Sequence, residues 1–263
     1  MIISYIKEKI AIQKLNEFLK ENDFCVVTNY QNETLVKMSQ ESIKYIRCPK
    51  YKIKGENGFY GCDFFNHLLS SSEIDHDYVI YIDEDFFIYN YKPLFKLIKH
   101  FVKKDYDFSG VPDGGIIHIR QFNPLFINPF FSLFNLKKIR KFYNPHIATK
   151  YEVTNEDINL LKENYFDEIK DLIEKVKEPI NFDLHSNKEP YYKIFNYLLK
   201  NNSKPLYLFA EQYSNLLFCT SPIYDNKALG VHTWYARDYE KDEFQTSRIN
   251  EIYEKSKKRK ILK

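Results

Sequence analysis

Glycine is scarce in this chain, with seven in 263 residues, and the first of them, Gly55, comes after three predicted strands. That argues against a glycine-rich phosphate loop opening the fold. Cysteine is equally sparse: Cys25, Cys48, Cys62 and Cys219 stand far apart without a CxxC pair, so neither a zinc site nor a disulfide framework is signalled. A reducing cytoplasm is the compartment expected. No excess of one charge exists, because 39 basic residues face 36 acidic ones and leave a net charge of +3, too little to wrap nucleic acid. Long apolar runs are missing as well. The most apolar stretch, Phe122 to Leu136, is broken by Pro124 and Pro129 and falls short of the roughly 20 residues that span a bilayer. The opening MIISYIKEKIAIQKL carries charge from Lys7 onward and lacks the continuous apolar core of a signal peptide.

What is present suffices for one enzyme-sized unit. With 44% apolar residues the chain can bury a full core as a single α/β domain. The 22 Tyr and 22 Phe accompany many Lys and Asn, in the manner of an AT-rich genome, so aromatic abundance is not read as a binding surface.

Ile2 to Tyr5 reads as a short strand, Ala11, Leu15, Phe18 and Leu19 as the stripe of a helix, and Phe24 to Thr28 as a second strand. Ile43 to Arg47 is a third strand, Asp63 to Leu69 a helix, and Tyr78 to Ile82 a fourth strand, apolar on both faces and therefore central. A helix opens near Pro93, and Phe108 to Val111 begins another strand. Strands alternating with helices predict a mainly parallel, doubly wound sheet. In the second half Phe130 to Leu136 reads as a strand, with helices over Glu156 to Lys177 and Pro190 to Leu199. The expected organisation is one domain over 1–240, with a ligand-binding half at 1–115 and a mixed second half at 116–240. After it, 241–263 is a charged tail, helical or disordered, without enough apolar pattern to dock firmly.

The sharpest signal is YVIYIDEDFFIYN. An apolar strand ending in Asp83-Glu84-Asp85 delivers carboxylates to the carboxyl edge of the sheet, where open α/β folds bind ligands. In extended chain Asp83 and Asp85 point to one side and Glu84 to the other, so two hard oxygen donors share a point fit for Mn²⁺ or Mg²⁺. Here the sequence resembles the GT-A glycosyltransferases, whose D-x-D motif follows an apolar strand in the same way and contacts metal, ribose and pyrophosphate. The resemblance implies a GT-A-like fold and transfer of a sugar from a nucleotide-diphosphate donor, UDP-hexose above all, to a glycan or lipid-linked saccharide.

It also implies roles for further residues. Asp83, Asp85 and His232, the histidine of Gly230-Val231-His232-Thr233-Trp234, are the expected metal ligands; the imidazole tilts preference from Mg²⁺ toward Mn²⁺. Tyr5, Asp83, Asp113, Gly114 and Arg237 are expected at the nucleotide sugar, Asp113 and Gly114 from the Gly110–Gly115 turn and Arg237 as a phosphate partner. Ile127 to Lys137 is similar to the family's N-x-G-x-x-x-x-N strand, with Pro129-Phe130 where the glycine belongs. Glu189 and Asp183 are the candidate bases, although Ser186 and Glu189 also spell a helix capping box.

A nucleotidyltransferase shares fold and metal chemistry but opens on the glycine loop missing here. A haloacid-dehalogenase-like phosphatase carries its D-x-D after the first strand, with a small residue following rather than Phe86-Phe87. A non-catalytic carbohydrate-binding protein is the alternative from another class. The cluster Lys255, Lys257, Lys258, Arg259, Lys260 and Lys263 reads first as a solvated end that promotes solubility, with peripheral contact to an anionic membrane as the other reading.

Overall fold

The structure, a computed structural model, describes residues 2–56, 59–113, 123–150, 152–174, 183, 186–212 and 218–258. It opens on a helix, α1 (Ile2–Glu21), not on a strand. No glycine or proline interrupts residues 2–21, so the local Ile2-Ile3 run is absorbed into the helical period that continues through Leu15 and Leu19. Tyr5 therefore lies on a helix rather than at a strand end; its side chain is outside the described residues.

The first strand is β1 (Phe24–Tyr30), followed by α2 (Glu33–Ser42). Asn32 caps α2, its Oδ1 accepting the N–H groups of Thr34 at 2.8 Å and Leu35 at 3.0 Å. Ile43 to Arg47 is the turn leaving α2 and not a strand: Ile43 and Ile46 are both buried, and a spacing of three suits a turn, where a strand face needs two. The strand comes later, as β2 (Lys50–Lys54). Then follow α3 (Cys62–Ser70), β3 (Tyr78–Ile82), β4 (Phe86–Ile88), α4 (Tyr91–Lys103) and β5 (Phe108–Pro112), all close to expectation except β4, a three-residue strand that the sequence reading does not include. The second half contributes β6 (Ile127–Asn135), α5 (Leu136–Ile139), α6 (Pro145–Ala148), α7 (Asn155–Glu174) and α8 (Tyr192–Lys200). It closes with β7 (Pro205–Tyr207), β8 (Phe209–Gln212), β9 (Cys219–Tyr224), β10 (Lys227–Ala228), β11 (Gly230–Thr233) and α9 (Glu243–Lys257).

The fold is α/β. One sheet runs β2-β1-β3-β6-β5-β7, with β3 inside it as its apolar sequence requires. β1 pairs in parallel with β2 and β3, and β5 with β7, while β6 runs antiparallel to both β3 and β5. The sheet is thus mixed through β6 alone, a strand buried along its whole length. Two apolar clusters cover its faces, one built with α3 and α8, the other with α1 and α4. A second, antiparallel sheet runs β10-β9-β11-β4, with β8 also on β9. The chain passes from β3 to β4, and so from one sheet to the other, through residues 83–85.

Residues 243–257, expected as an undocked tail, are a helix whose Ile249 and Ile252 join Phe87 and Val231 in a third cluster. Two isoleucines three apart are too short an apolar pattern to stand out in a charged stretch. On α9, Lys255 pairs with Glu251 and Lys257 with Glu254, which offsets part of the basic cluster; Arg259, Lys260 and Lys263 lie outside the described residues. Among the described residues no helix is long and apolar enough to cross a membrane.

Candidate metal centre

The acid motif is a turn. β3 stops at Ile82, the Asp83 N–H donates to the Phe130 carbonyl at 2.9 Å, and the Phe86 N–H donates back to the Asp83 carbonyl at 3.2 Å. That bond closes residues 83–86 into a tight reversal, so Asp83 and Asp85 converge through turn geometry and not through the alternation of an extended strand. Ser39 Oγ, on α2, lies 3.3 Å from the carbonyls of both Asp83 and Phe86 and braces the turn from behind. Glu84 points away, as expected, and its carboxylate accepts the N–H groups of Gln31 and Asn32.

His232 reaches the turn through strand pairing. β11 runs antiparallel to β4 with His232 opposite Phe86, and the Thr233 N–H donates to the Asp85 carbonyl at 3.1 Å. Gly230 makes this possible. A Cβ there would fall 2.5 Å from the Phe87 carbonyl oxygen, so the residue serves close approach of two strands.

One ligand atom each from Asp83, Asp85 and His232 lies within 4.8 Å of the others. His232 Nε2 stands 3.2 Å from Asp85 Oδ1, and Tyr81 donates to Asp83 Oδ1 at 2.5 Å. The imidazole is clamped: its ring lies flat on Phe130 at 4.3 Å between centroids, and Trp234 meets it edge-on at 4.5 Å, itself anchored by an indole N–H donated to Thr220 Oγ1 at 2.8 Å. Asp85 and His232 are buried, and His232 Nδ1 has no hydrogen-bond partner among the described residues. Buried ring nitrogens are ordinarily paired. Two desolvated carboxylates with an imidazole whose Nε2 stands 3.2 Å from one of them suit a divalent cation, and the mixed oxygen and nitrogen set fits Mn²⁺ better than Mg²⁺.

Burial raises the Asp83 carboxyl above its usual range and the neighbouring Asp85 charge raises it further, against opposing pulls from Tyr81, His232 and Arg237. Burial also pushes Glu84 up to about 7, despite its two N–H donors. A carboxyl whose folded pKa exceeds its unfolded value, near ~4, contributes stability fully present below that unfolded value and lost as pH rises through the folded one. Without cation the protein is therefore expected to lose stability between about pH 4 and pH 7, and a cation that replaces the proton should restore it. Melting curves at pH 5 and pH 7.5, with and without Mn²⁺, check this. The gain on adding Mn²⁺ should be larger at pH 7.5, and equal gains would count against a proton–metal exchange.

The remaining expected residues separate into two groups. Arg237, in the short 3-10 turn Ala236–Asp238, is exposed, stands over the Tyr60 ring at 5.9 Å, and lies near enough to lower the Asp83 carboxyl. Asp113 is buried and already engaged: Asn128 donates to Oδ1 at 3.1 Å, and the hydroxyls of Tyr191 and Tyr192 both donate to Oδ2 at 2.9 Å. It braces α8 against the edge of β5 and β6, which departs from the sugar-contacting role expected of it. Gly114 lies outside the described residues. The capping box does not form, since α8 begins at Tyr192 and Ser186 Oγ has no hydrogen-bond partner among the described residues. Glu189 is half-buried in the turn before α8, its carbonyl accepting the Tyr192 N–H at 3.0 Å, and Asp183 lies six residues earlier with its carbonyl accepting from Ser186.

Sequence reasoning missed Tyr81, Phe130 and Ser39. Tyr81 was within reach, because a residue two before Asp83 shares its side of a strand. Phe130 and Ser39 depend on pairings across 47 and 44 residues that no local pattern carries.

No family model matches the sequence, and no curated protein matches it. A solved structure described as A197 from STIV is similar at 10% identity and a TM-score of 0.34, over 47% of this chain and 70% of that one, a likeness too slight to carry an argument.

Proposed function

We propose that this chain is a metal-dependent glycosyltransferase of GT-A-like fold that moves a sugar, a hexose on UDP in the first instance, from a nucleotide-diphosphate donor to a glycan or lipid-linked saccharide. The observation that carries this reading is the convergence of Asp83, Asp85 and His232 within 4.8 Å at the point where the chain leaves the main sheet. These three side chains would hold Mn²⁺. When bound, the cation supplies charge neutralisation for the departing nucleoside diphosphate.

The chain's own residues do the rest. Arg237, exposed and without an ion-pair partner among the described residues, is available to a phosphate oxygen at the mouth of the site. Phe130 and Trp234 hold the imidazole in one orientation and keep water from its flanks. Glu189, or Asp183 before it, is the carboxylate assigned to taking the acceptor's proton. A two-carboxylate, one-imidazole site with an arginine near it suits a diphosphate leaving group.

The test is a panel of nucleotide sugars and free nucleotides screened for thermal stabilisation with and without Mn²⁺. A ligand at 100 times its Kd adds about 2.7 kcal/mol. One nucleotide class should stabilise the protein, and only when Mn²⁺ is present. Stabilisation by none of them, or by all of them without metal, would remove the donor assignment. Intact donor bound but never consumed would favour the carbohydrate-binding alternative.

A further inference from the structure

The middle residue of the acid turn holds a contact that the metal ligands alone do not require. Glu84 Oε2 accepts two backbone N–H groups at the point where β1 gives way to α2, from Gln31 at 2.9 Å and from Asn32 at 2.7 Å. Asn32 is committed on two further sides. Its Oδ1 caps α2, and its Nδ2 donates to Glu240 Oε2 at 2.9 Å, while Thr34 Oγ1 donates to the other oxygen of Glu240 at 2.8 Å. Glu240 closes the segment that leaves β11 after His232, and it holds a left-handed backbone with φ of 63°, a conformation unusual for glutamate. One residue, Asn32, is therefore bonded to both stretches of chain that bring the candidate ligands: to 83–85 through its N–H, and to 232–240 through its amide.

We propose that Glu84 is a positioning residue for the cation, and that the Glu84–Asn32–Glu240 clamp fixes the acid turn relative to the His232 strand. This rests on the reading of Asp83, Asp85 and His232 as a cation site. The physical case concerns geometry. In a turn, the two flanking carboxylates cannot be set independently of the residue between them, because the same few backbone torsions orient all three. Anchoring Glu84 by two hydrogen bonds to a helix start removes that freedom before a cation arrives. Ser39 holds the carbonyls of Asp83 and Phe86 from the same helix, so α2 backs both ends of the turn. Groups that orient ligands without touching the metal typically change metal affinity by 10- to 100-fold when removed.

Position and charge are separable by substitution. Glu84→Gln keeps an oxygen at full reach for both N–H groups and loses the charge. Glu84→Asp keeps the charge and withdraws the oxygen by one methylene, and Glu84→Ala removes both. The measurement is the Kd for Mn²⁺ alone, by calorimetry or by the spin-resonance signal of the free ion, beside the melting temperature of each protein. The expected order is wild type and Glu84→Gln within about threefold of each other, with Glu84→Asp and Glu84→Ala weaker by ~10- to 100-fold. A residue that serves stability alone would lower the melting temperature and leave Kd in place, and that result overturns the proposal. So does a Glu84→Asp protein that binds like wild type beside a weakened Glu84→Gln, since charge would then be the cause. If Glu84→Ala does not fold, the Gln and Asp variants decide the matter between them. A wild-type protein that fails to bind Mn²⁺ overturns the cation site itself and this inference with it, whereas tight binding by wild type and all three variants overturns the inference alone.

Discussion

Replacing Asp85 by Asn should reduce the proposed sugar transfer by ~100-fold or more, the scale seen when one preorganised electrostatic stabiliser is removed from a transition state, in protein that folds normally. The side chain is buried, its Oδ1 lies 3.2 Å from His232 Nε2, and asparagine fills the same volume. The fold should not suffer. The Asp85 charge raises the Asp83 carboxyl, which means that the two carboxylates repel each other in the metal-free protein. Removing one of them relieves that repulsion, so without metal the variant should melt at the same temperature as wild type or higher. Stability and activity are then expected to move in opposite directions, a pattern characteristic of a site kept under strain for its chemistry. The check is a pair of measurements on one preparation: transfer from the donor found in the nucleotide panel, and a melting curve without divalent cation. Full activity in a folded Asp85→Asn protein would end the assignment of this turn as the metal site.

How much of this was legible beforehand differs from element to element, for physical reasons. β3 was plain, because five consecutive apolar residues followed by three acids have few other readings, and burial on both faces requires such a run. His232 was legible as a candidate from the glycine and tryptophan around it, though the purpose of Gly230 was not; close packing of β11 on β4 is a property of two strands 142 residues apart. α1 was hidden because Ile2-Ile3 satisfies a strand and a helix equally, and only the uninterrupted chain through Glu21 decides between them. β2 reads Lys-Tyr-Lys-Ile-Lys, the alternation of an edge strand, but the more apolar Ile43 to Arg47 stretch before it drew the assignment. Asp113 shows the limit most clearly. A carboxylate in a glycine-rich turn after a strand suggests a ligand contact, yet its partners include two tyrosines nearly 80 residues later. Local chemistry names the groups able to act; long-range pairing decides which of them are already occupied.

The same distinction governs His232, whose replacement by Ala should weaken Mn²⁺ activation by at least tenfold, equivalent to about 1.4 kcal/mol. Two roles compete for this side chain. Its ring is packed against Phe130 and Trp234, and truncation leaves a void between them, so some loss of stability is certain to accompany any effect on metal. Stability alone therefore decides nothing. The separating measurement is a Mn²⁺ titration of activity at fixed saturating donor, on wild type, His232→Ala and His232→Phe. Phenylalanine keeps an aromatic ring in the stack and carries no ligand atom. If His232 holds the cation through a ring nitrogen, both variants should need far more Mn²⁺ for half-saturation, and the Phe variant should do so while melting closer to wild type. If the imidazole only packs, the Phe variant should restore the wild-type titration and the Ala variant should differ in melting temperature alone. Superimposable half-saturation points for all three proteins would return the site to Asp83 and Asp85, with water completing the cation's shell, and would leave the orphaned Nδ1 of His232 as a cost of packing.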